Sequence, residues 1–409
     1  MSTTDAPTNQ PLKTDHSRAQ LAGDHSHVIV PDASRADRVT SFDPETFGVP
    51  NGREENWRFS PVRDLKQLFS LDTGEGHLEW HLPELPAGVT FSEVSADEAQ
   101  ARSVKAPADR ASAIATAKSG GAAVLSIAPG AQVDEPIVIE QVGSGEDARG
   151  HVLIEAGDGS SAAVIIKRTG SAVYSEFVSV DVSDNAFLGL VLMQDWDDDA
   201  IHAGEVVAKL GANAHLRGFV ITLGGKVVRL NTSAAFAGIG GEIELFGLYF
   251  ADAGQHQEHQ LFVDHAVPRC KSRVTYKGAL AGETAHTVWI GDVLIRAAAE
   301  GTDTYELNRN IVLTDGARAD SVPNLEIETG EIEGAGHASA TGRFDEEQMF
   351  YLQARGIDVD VARRLVLRGF FADVVDEINS DQVRETVWAS IDQEIANLAA
   401  LEAPSGGGS

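Results

Sequence analysis

The sequence predicts a mainly β protein whose centre is a parallel β-helix, with a small α-containing region before it and helices after it. Three observations carry that expectation. Between about residue 114 and residue 332, apolar runs such as VLSIA, HVLIEA, FVSVDV, FLGLVLM and EIELFGLYF are short, β-branched or aromatic, and bounded by Gly, Asn, Asp or Ser, the pattern of strands. A loose turn signature precedes many of them, in PGAQV at Gly130, SSAAV at Ser161, DNAFL at Asn185, GANAHL at Asn213 and GGEIEL at Gly241, at intervals centred in the twenties with no amphipathic helix between. Such a period is what a β-solenoid produces, because each coil buries its apolar face only by stacking on the coil before it. Beyond Thr341 the apolar spacing switches to threes and fours. Strand length alone also suits an ordinary β-sandwich, so the solenoid rests on the period.

The elements follow in order. Residues 1–44, rich in Ser, Thr, Asp, Asn and Pro, hold too few apolar groups to offset the entropy of ordering and read as a disordered leader. Residues 45–113 include REENWRFSPVRDLKQLF, which joins Trp57, Phe59 and Phe69 to helix-like spacing at Val62, Leu65 and Phe69, and read as a small α-containing domain. The β-helix core takes residues 114–340. Residues 341–402 form a helical domain: Asp345 is placed to cap a helix that runs to Arg355 and stops at Gly356, while Leu367, Phe370, Phe371, Val374 and Ile378 share one face. After Ser380, an N-cap candidate, Val383, Val387, Ile391, Ile395 and Leu398 repeat the stripe. Residues 403–409 end in SGGGS, a flexible tail.

Charge narrows the function classes. With 32 basic against 62 acidic side chains the formal net charge is −30, which disfavours nucleic acid and anionic membranes as partners and favours a dispersed, soluble protein. The chain has one cysteine, Cys270, so no intramolecular disulfide and no four-cysteine zinc or iron–sulfur site can be built from it alone, which fits a cytoplasmic setting. MSTTDAPTNQ lacks the basic start and apolar core of a secretory signal, and no apolar run approaches the ~20 residues needed to cross a bilayer. Neither a GxxxxGK phosphate loop nor a GxSxG nucleophile elbow is present, so ATP hydrolysis and serine esterase chemistry have no visible machinery.

Four places could carry chemistry. HQEHQLFVDH holds His256, His259 and His265 with Glu258 and Asp264, a metal candidate; the HxxH pair sits just after a strand and lacks the helical HExxH spacing, so cross-strand or loop hydrogen bonding is the alternative. DWDDD, residues 195–199, offers hard oxygen ligands but not the glycine and distal glutamate of a calcium loop, and suits a solvated turn. Cys270 stands between Arg269 and Lys271, whose charge would favour a thiolate, unless the thiol is simply a small packed side chain. His337 has small residues on both sides that let a metal or another backbone approach, provided further ligands come from elsewhere.

Three separated motifs, in order, carry a resemblance. REENWRFSP, VDHAVPRCKSRVTYKGAL, and the run ELNRNIVLTDGARADSVPNLEI with GHASATG, DEEQMFYLQARGI and ARRLVLRGF are similar to the SufB/SufD family of iron–sulfur assembly proteins over residues 47–378. The resemblance implies a right-handed parallel β-helix with helical ends, working without catalysis of its own in a complex with a SufB-type paralogue and a SufC-type ATPase. It implies that the ATPase docks on the carboxyl-terminal helices, for which Phe344, Phe350, Arg355, Leu367, Phe370 and Phe371 are the candidates. Where the family motif reads Cys-Ser-His-Gly-Ala-Thr, this chain has Ala335, Gly336 and His337, so the thiolate is absent and the chain looks SufD-like. By the same resemblance His337 would serve as an iron or cluster ligand at the interface with the paralogue. No cofactor would be tightly bound, and iron or an Fe–S cluster would be shared transiently. Whether the isolated chain forms a homodimer is left open by the sequence. Two other functions are weighed: a SufB-like scaffold, disfavoured by the single cysteine, and a β-helix enzyme acting on polysaccharide, for which no spaced carboxylate constellation is found.

Overall fold

The computed structural model describes residues 35–402 apart from Thr73, Glu75 and Asp345, with the backbone alone at 346–348, 360 and 398–402. Most of the expected leader, the tail, the Asp345 cap and the Leu398 side chain lie outside the described residues.

The chain enters through 3-10 turns, two short strands, β1 (Glu79–His81) and β2 (Val89–Ser95), and two helices, α1 (Ala96–Arg102) and α2 (Arg110–Lys118). The spacing at Val62, Leu65 and Phe69 forms a six-residue 3-10 segment, Asp64–Phe69, rather than an α-helix. It is too short to gain from α-type propagation, and burial of Leu65 and Phe69 holds it in place. The boundary expected at 113 falls inside α2. Its Ala-rich sequence favours helix over strand, and the Asp109 carboxylate caps it by accepting from the Ser112 N–H at 2.9 Å.

The solenoid begins with β3 (Gly121–Ile127) and two long strands that bend across both faces, β4 (Ile137–Ala156) and β5 (Ser161–Val182). Eleven strands of ten residues follow: β6 (Phe187–Trp196), β7 (Ile201–Leu210), β8 (His215–Gly224), β9 (Val227–Phe236), β10 (Glu242–Ala251), β11 (His256–His265), β12 (Lys271–Leu280), β13 (His286–Ile295), β14 (Asp303–Val312), β15 (Arg318–Ile327) and β16 (Gly334–Arg343). From β5 the even-numbered strands form one parallel ladder and the odd-numbered strands the other. This is a parallel β-solenoid of about eight turns, not a sandwich. Coils turn where Asn185 and Asn213 take φ of 57° and 54°, a conformation asparagine tolerates, and the Asn213 amide donates to the Asn185 side-chain oxygen at 3.2 Å.

Inward residues stack in columns because each rung is in register with the next. One such column runs Leu190, Gly218, Leu245, Val274, Glu306, His337. The outer face of β6, β8, β10 and β12 is apolar as well, since helices cover it. Leu367, Phe371, Val374 and Ile378 of α4 (Val359–Val375) and its end, with Val387 and Ile391 of α5 (Asp381–Glu402), bury against Val191, Phe219, Phe246 and Leu248. Ser380 caps α5, its hydroxyl accepting from the Val383 N–H at 3.4 Å. Before them, α3 (Glu346–Ala354) ends in a closure where Ile357 N–H reaches Leu352 C=O and Gly356 N–H reaches Gln353 C=O, with Gly356 at φ +83°.

Candidate functional site

The column that begins with leucine ends in two ionisable side chains at the open mouth of the solenoid. The last rungs are β15 and β16, and among the described residues each pairs on one side only, leaving a ten-residue edge free. A free edge of that length offers backbone donors and acceptors to a further strand. On β16 the inward positions are Ala335, His337, Ser339 and Thr341; one rung below, on β14, they are Thr304, Glu306, Asn308 and Asn310.

The rung below is closely hydrogen-bonded except at one residue. Asn308 donates to the Tyr249 hydroxyl at 2.8 Å, that hydroxyl donates to Asn310 Oδ1 at 2.6 Å, and Asn310 donates to Ser321 Oγ at 3.0 Å. Glu306 is 1% exposed, and among the described residues neither carboxylate oxygen has a hydrogen-bond partner. Burial, with some repulsion from Asp292 and an opposing pull from Arg35, pushes its pKa up to about 8. It packs towards Gly291, where a Cβ would lie 2.4 Å from the Trp289 ring and 3.0 Å from a Glu306 oxygen.

His337 is exposed, because among the described residues no rung stacks on it. It lines a cleft of about 340 Å³ with Arg35, Asp292, Pro323, Leu325 and Glu326. Arg35 fixes the rim by donating to Asp292 Oδ2 and Asn231 Oδ1, both at 2.7 Å, and to the Leu261 carbonyl at 2.8 Å.

The other candidates are placed apart from this mouth. His256, His259 and His265 belong to strand β11 itself, not to a loop after a strand. Alternation of side chains sends His256 outwards and His259 inwards, so the three do not converge. His256 Nδ1 lies 3.1 Å from His286 Nδ1 and its Nε2 3.2 Å from Glu258. His259 stacks on Tyr249 at 4.9 Å with Nε2 2.9 Å from Thr222 Oγ1, and His265 Nε2 lies 2.8 Å from Ser272 Oγ. Burial pushes His259 down to about 3 and His265 to about 4. A different group, His215, Glu242 and Glu244, brings its ligand atoms within 4.8 Å of one another, but Arg217 already occupies Glu244 at 2.9 Å.

Cys270 is fully buried, and burial raises its pKa; the flanking Arg269 and Lys271 side chains are exposed, so the thiol packs in the apolar interior without their help. In the acidic run, Asp195 pairs with Lys167 at 3.0 Å and Asp197–Asp199 form an exposed turn at the end of β6. Of the docking candidates, Leu367 and Phe371 are 0% exposed and cannot offer a surface: the helical stripe faces the sheet, where burial of apolar area is available. Phe344 and Phe370 are half-buried against the same core, whereas Phe350 is 75% exposed and Arg355 stacks on Tyr351 at 4.5 Å. Tyr351 of α3 and Val359, Val361 and Leu365 of α4 are exposed as well.

Sequence reasoning missed Glu306, whose inward direction follows only from its register with Val274. It also missed the buried cluster that holds the REENW segment. There the Arg229 guanidinium lies 3.7 Å from the Trp57 ring centroid, donates to Asp109 at 3.0 Å and pairs with Glu258. Ser60 donates to Glu258 from the same segment at 2.7 Å.

A family described as SUF system FeS cluster assembly, SufBD core domain, matches residues 139–370, the solenoid from β4 onwards together with α3 and most of α4. The chain belongs to the SufBD family. A SufBD family protein of Mycobacterium tuberculosis, named for iron–sulfur cluster assembly, is 47% identical over 371 residues, 88% of this chain and 93% of the relative. One of Mycobacterium leprae is 47% identical over 366 residues, 87% of this chain and 93% of the relative. The iron–sulfur cluster assembly protein SufD of Escherichia coli is 27% identical over 173 residues, 42% of this chain and 40% of that protein. In this SufBD chain, no helix among the described residues is long and apolar enough to cross a membrane.

Proposed function

We propose that this SufBD protein is a SufD-type, non-catalytic subunit of a cytoplasmic iron–sulfur assembly complex, joined to a SufB-type paralogue at the open mouth and to a SufC-type ATPase at its helices. One observation carries the reading: His337, an exposed imidazole, sits beside two strand edges, free among the described residues, where a second solenoid could continue the ladders. Iron is borderline-soft and accepts imidazole together with thiolate, so a cluster assembled between the chains could draw His337 from one and cysteine from the other. With Ala335 in place of the family thiolate, this chain cannot accept sulfur there. Iron and sulfide are therefore cargo of the complex. The exposed residues Phe350, Tyr351, Val359, Val361 and Leu365 supply the apolar surface for the ATPase. ATP-driven dimerisation of that subunit would pull on helices rooted in the solenoid wall and uncover His337 from the paralogue.

The test is reconstitution of the three-component complex with His337→Ala. Cluster formation, followed by visible absorption and iron content, is expected to fall at least about tenfold while the complex still co-purifies. An undiminished rate refutes the ligand role.

A further inference from the structure

Glu306 has no part in the role given to His337, and the fold does not account for it. Its neighbours on the same inward face, Asn308 and Asn310, are hydrogen-bonded, and Ser321 across the interior joins them. Among the described residues the Glu306 carboxylate has no partner for either oxygen at 1% exposure. A buried carboxylate without donors costs stability that a threonine or leucine in the same column would not, so the position is poorly made for structure alone.

We infer that Glu306 is a second metal ligand, which with His337 binds one divalent transition-metal ion just inside the open end of the solenoid. This rests on the reading of His337 as an assembly-site ligand and goes beyond it by naming the protein's own companion ligand and the ion. Geometry supports the pair. Glu306 and His337 are register partners on adjacent rungs, so their side chains leave the same face of the ladder about 4.8 Å apart. Two side chains so placed can converge on one ion at about 2.0–2.2 Å from each. Chemistry supports it too: one carboxylate and one imidazole, with the remaining positions open, suit Fe(II) and its substitutes Co(II) and Zn(II). Ala335, two residues before His337 and on the same face, offers no ligand, and of the carboxylates near His337 the Asp292 side chain is already taken by Arg35 at 2.7 Å, whereas Glu306 has no such partner among the described residues. The open positions face the mouth, where water, or a thiolate from the paralogue, would complete the shell.

The probe is Co(II), added anaerobically to the full-length chain and followed by its d–d absorption and by calorimetry. Wild-type protein is expected to bind one equivalent, with affinity lowered at least about tenfold in both Glu306→Gln and His337→Ala. Anomalous difference density in Co(II)-soaked wild-type crystals is expected between the Glu306 carboxylate and the His337 imidazole, a readout that does not depend on a variant folding. The inference is overturned if wild type takes up no Co(II) at the mouth, or if the ion contacts His337 without Glu306. It is equally overturned if Glu306→Gln binds as wild type does while His337→Ala does not, an outcome that leaves the function of His337 standing.

Discussion

Protonation of the buried histidines should set how this solenoid fails in acid, and His259 isolates the effect. The imidazole is 2% exposed, stacked on Tyr249 with Nε2 against Thr222, and burial pushes its pKa down to about 3. In the unfolded chain it titrates near 6.5, so the unfolded state binds the proton first. The folded pKa is depressed; stability from the neutral ring is therefore intact above pH 6.5 and is lost as pH falls towards 3. Between pH 7.5 and pH 5 the loss is about 2 kcal/mol for this one residue, from ~1.4 kcal/mol per pH unit below the unfolded pKa. His151 and His265, each pushed down to about 4, add comparable losses. Replacing His259 with Gln keeps a polar partner for Thr222 and removes the titration. Urea unfolding followed by tryptophan fluorescence, on both proteins from pH 7.5 to pH 5, should show the variant gaining about 2 kcal/mol relative to wild type across that range, whatever its fixed cost. Two curves that stay parallel would show that His259 takes up a proton in the folded state, and the account of a neutral, stacked ring would fail.

Two further outcomes follow from burial at the two ends of the chain. Trp57→Ala removes a 4% exposed indole that covers the Arg229 guanidinium, and should cost about 3–5 kcal/mol of stability; a loss below about 1 kcal/mol in urea unfolding would mean the REENW segment is not anchored there. Phe350→Asp changes a side chain that is 75% exposed, so stability should move by no more than about 0.5 kcal/mol while co-purification with the ATPase subunit drops; retained co-purification would move the docking surface off α3.

Periodicity makes the architecture legible, and register hides the site. The turn residues Asn185 and Asn213 stand in the sequence at the interval of the coil and in the structure at adjacent corners. The helical stripe through Leu367 and Phe371 is equally plain, yet a stripe shows only that a face is buried, not what buries it: the covering surface is the outside of this chain's own solenoid. His337 is legible through the family motif it matches; its small neighbours alone show only that there is room for a ligand. Glu306 is not legible, since an acidic residue in ELNRN reads as a solvated strand position until the ladder aligns it with Val274 below and His337 above. In a solenoid, residues 31 positions apart become neighbours through stacking, and the spacing between successive strand starts varies from 27 to 32 along the even-numbered ladder after β6. A one-residue error in any coil would turn Glu306 to the outside. Any chemistry at the mouth would therefore depend on every rung between it and the apolar centre holding register, and the hydrogen bonds among Tyr249, Asn308 and Asn310 tie the Glu306 strand to the rungs below it. They brace the strand that carries Glu306, one rung below His337, as the metal-ligand inference requires.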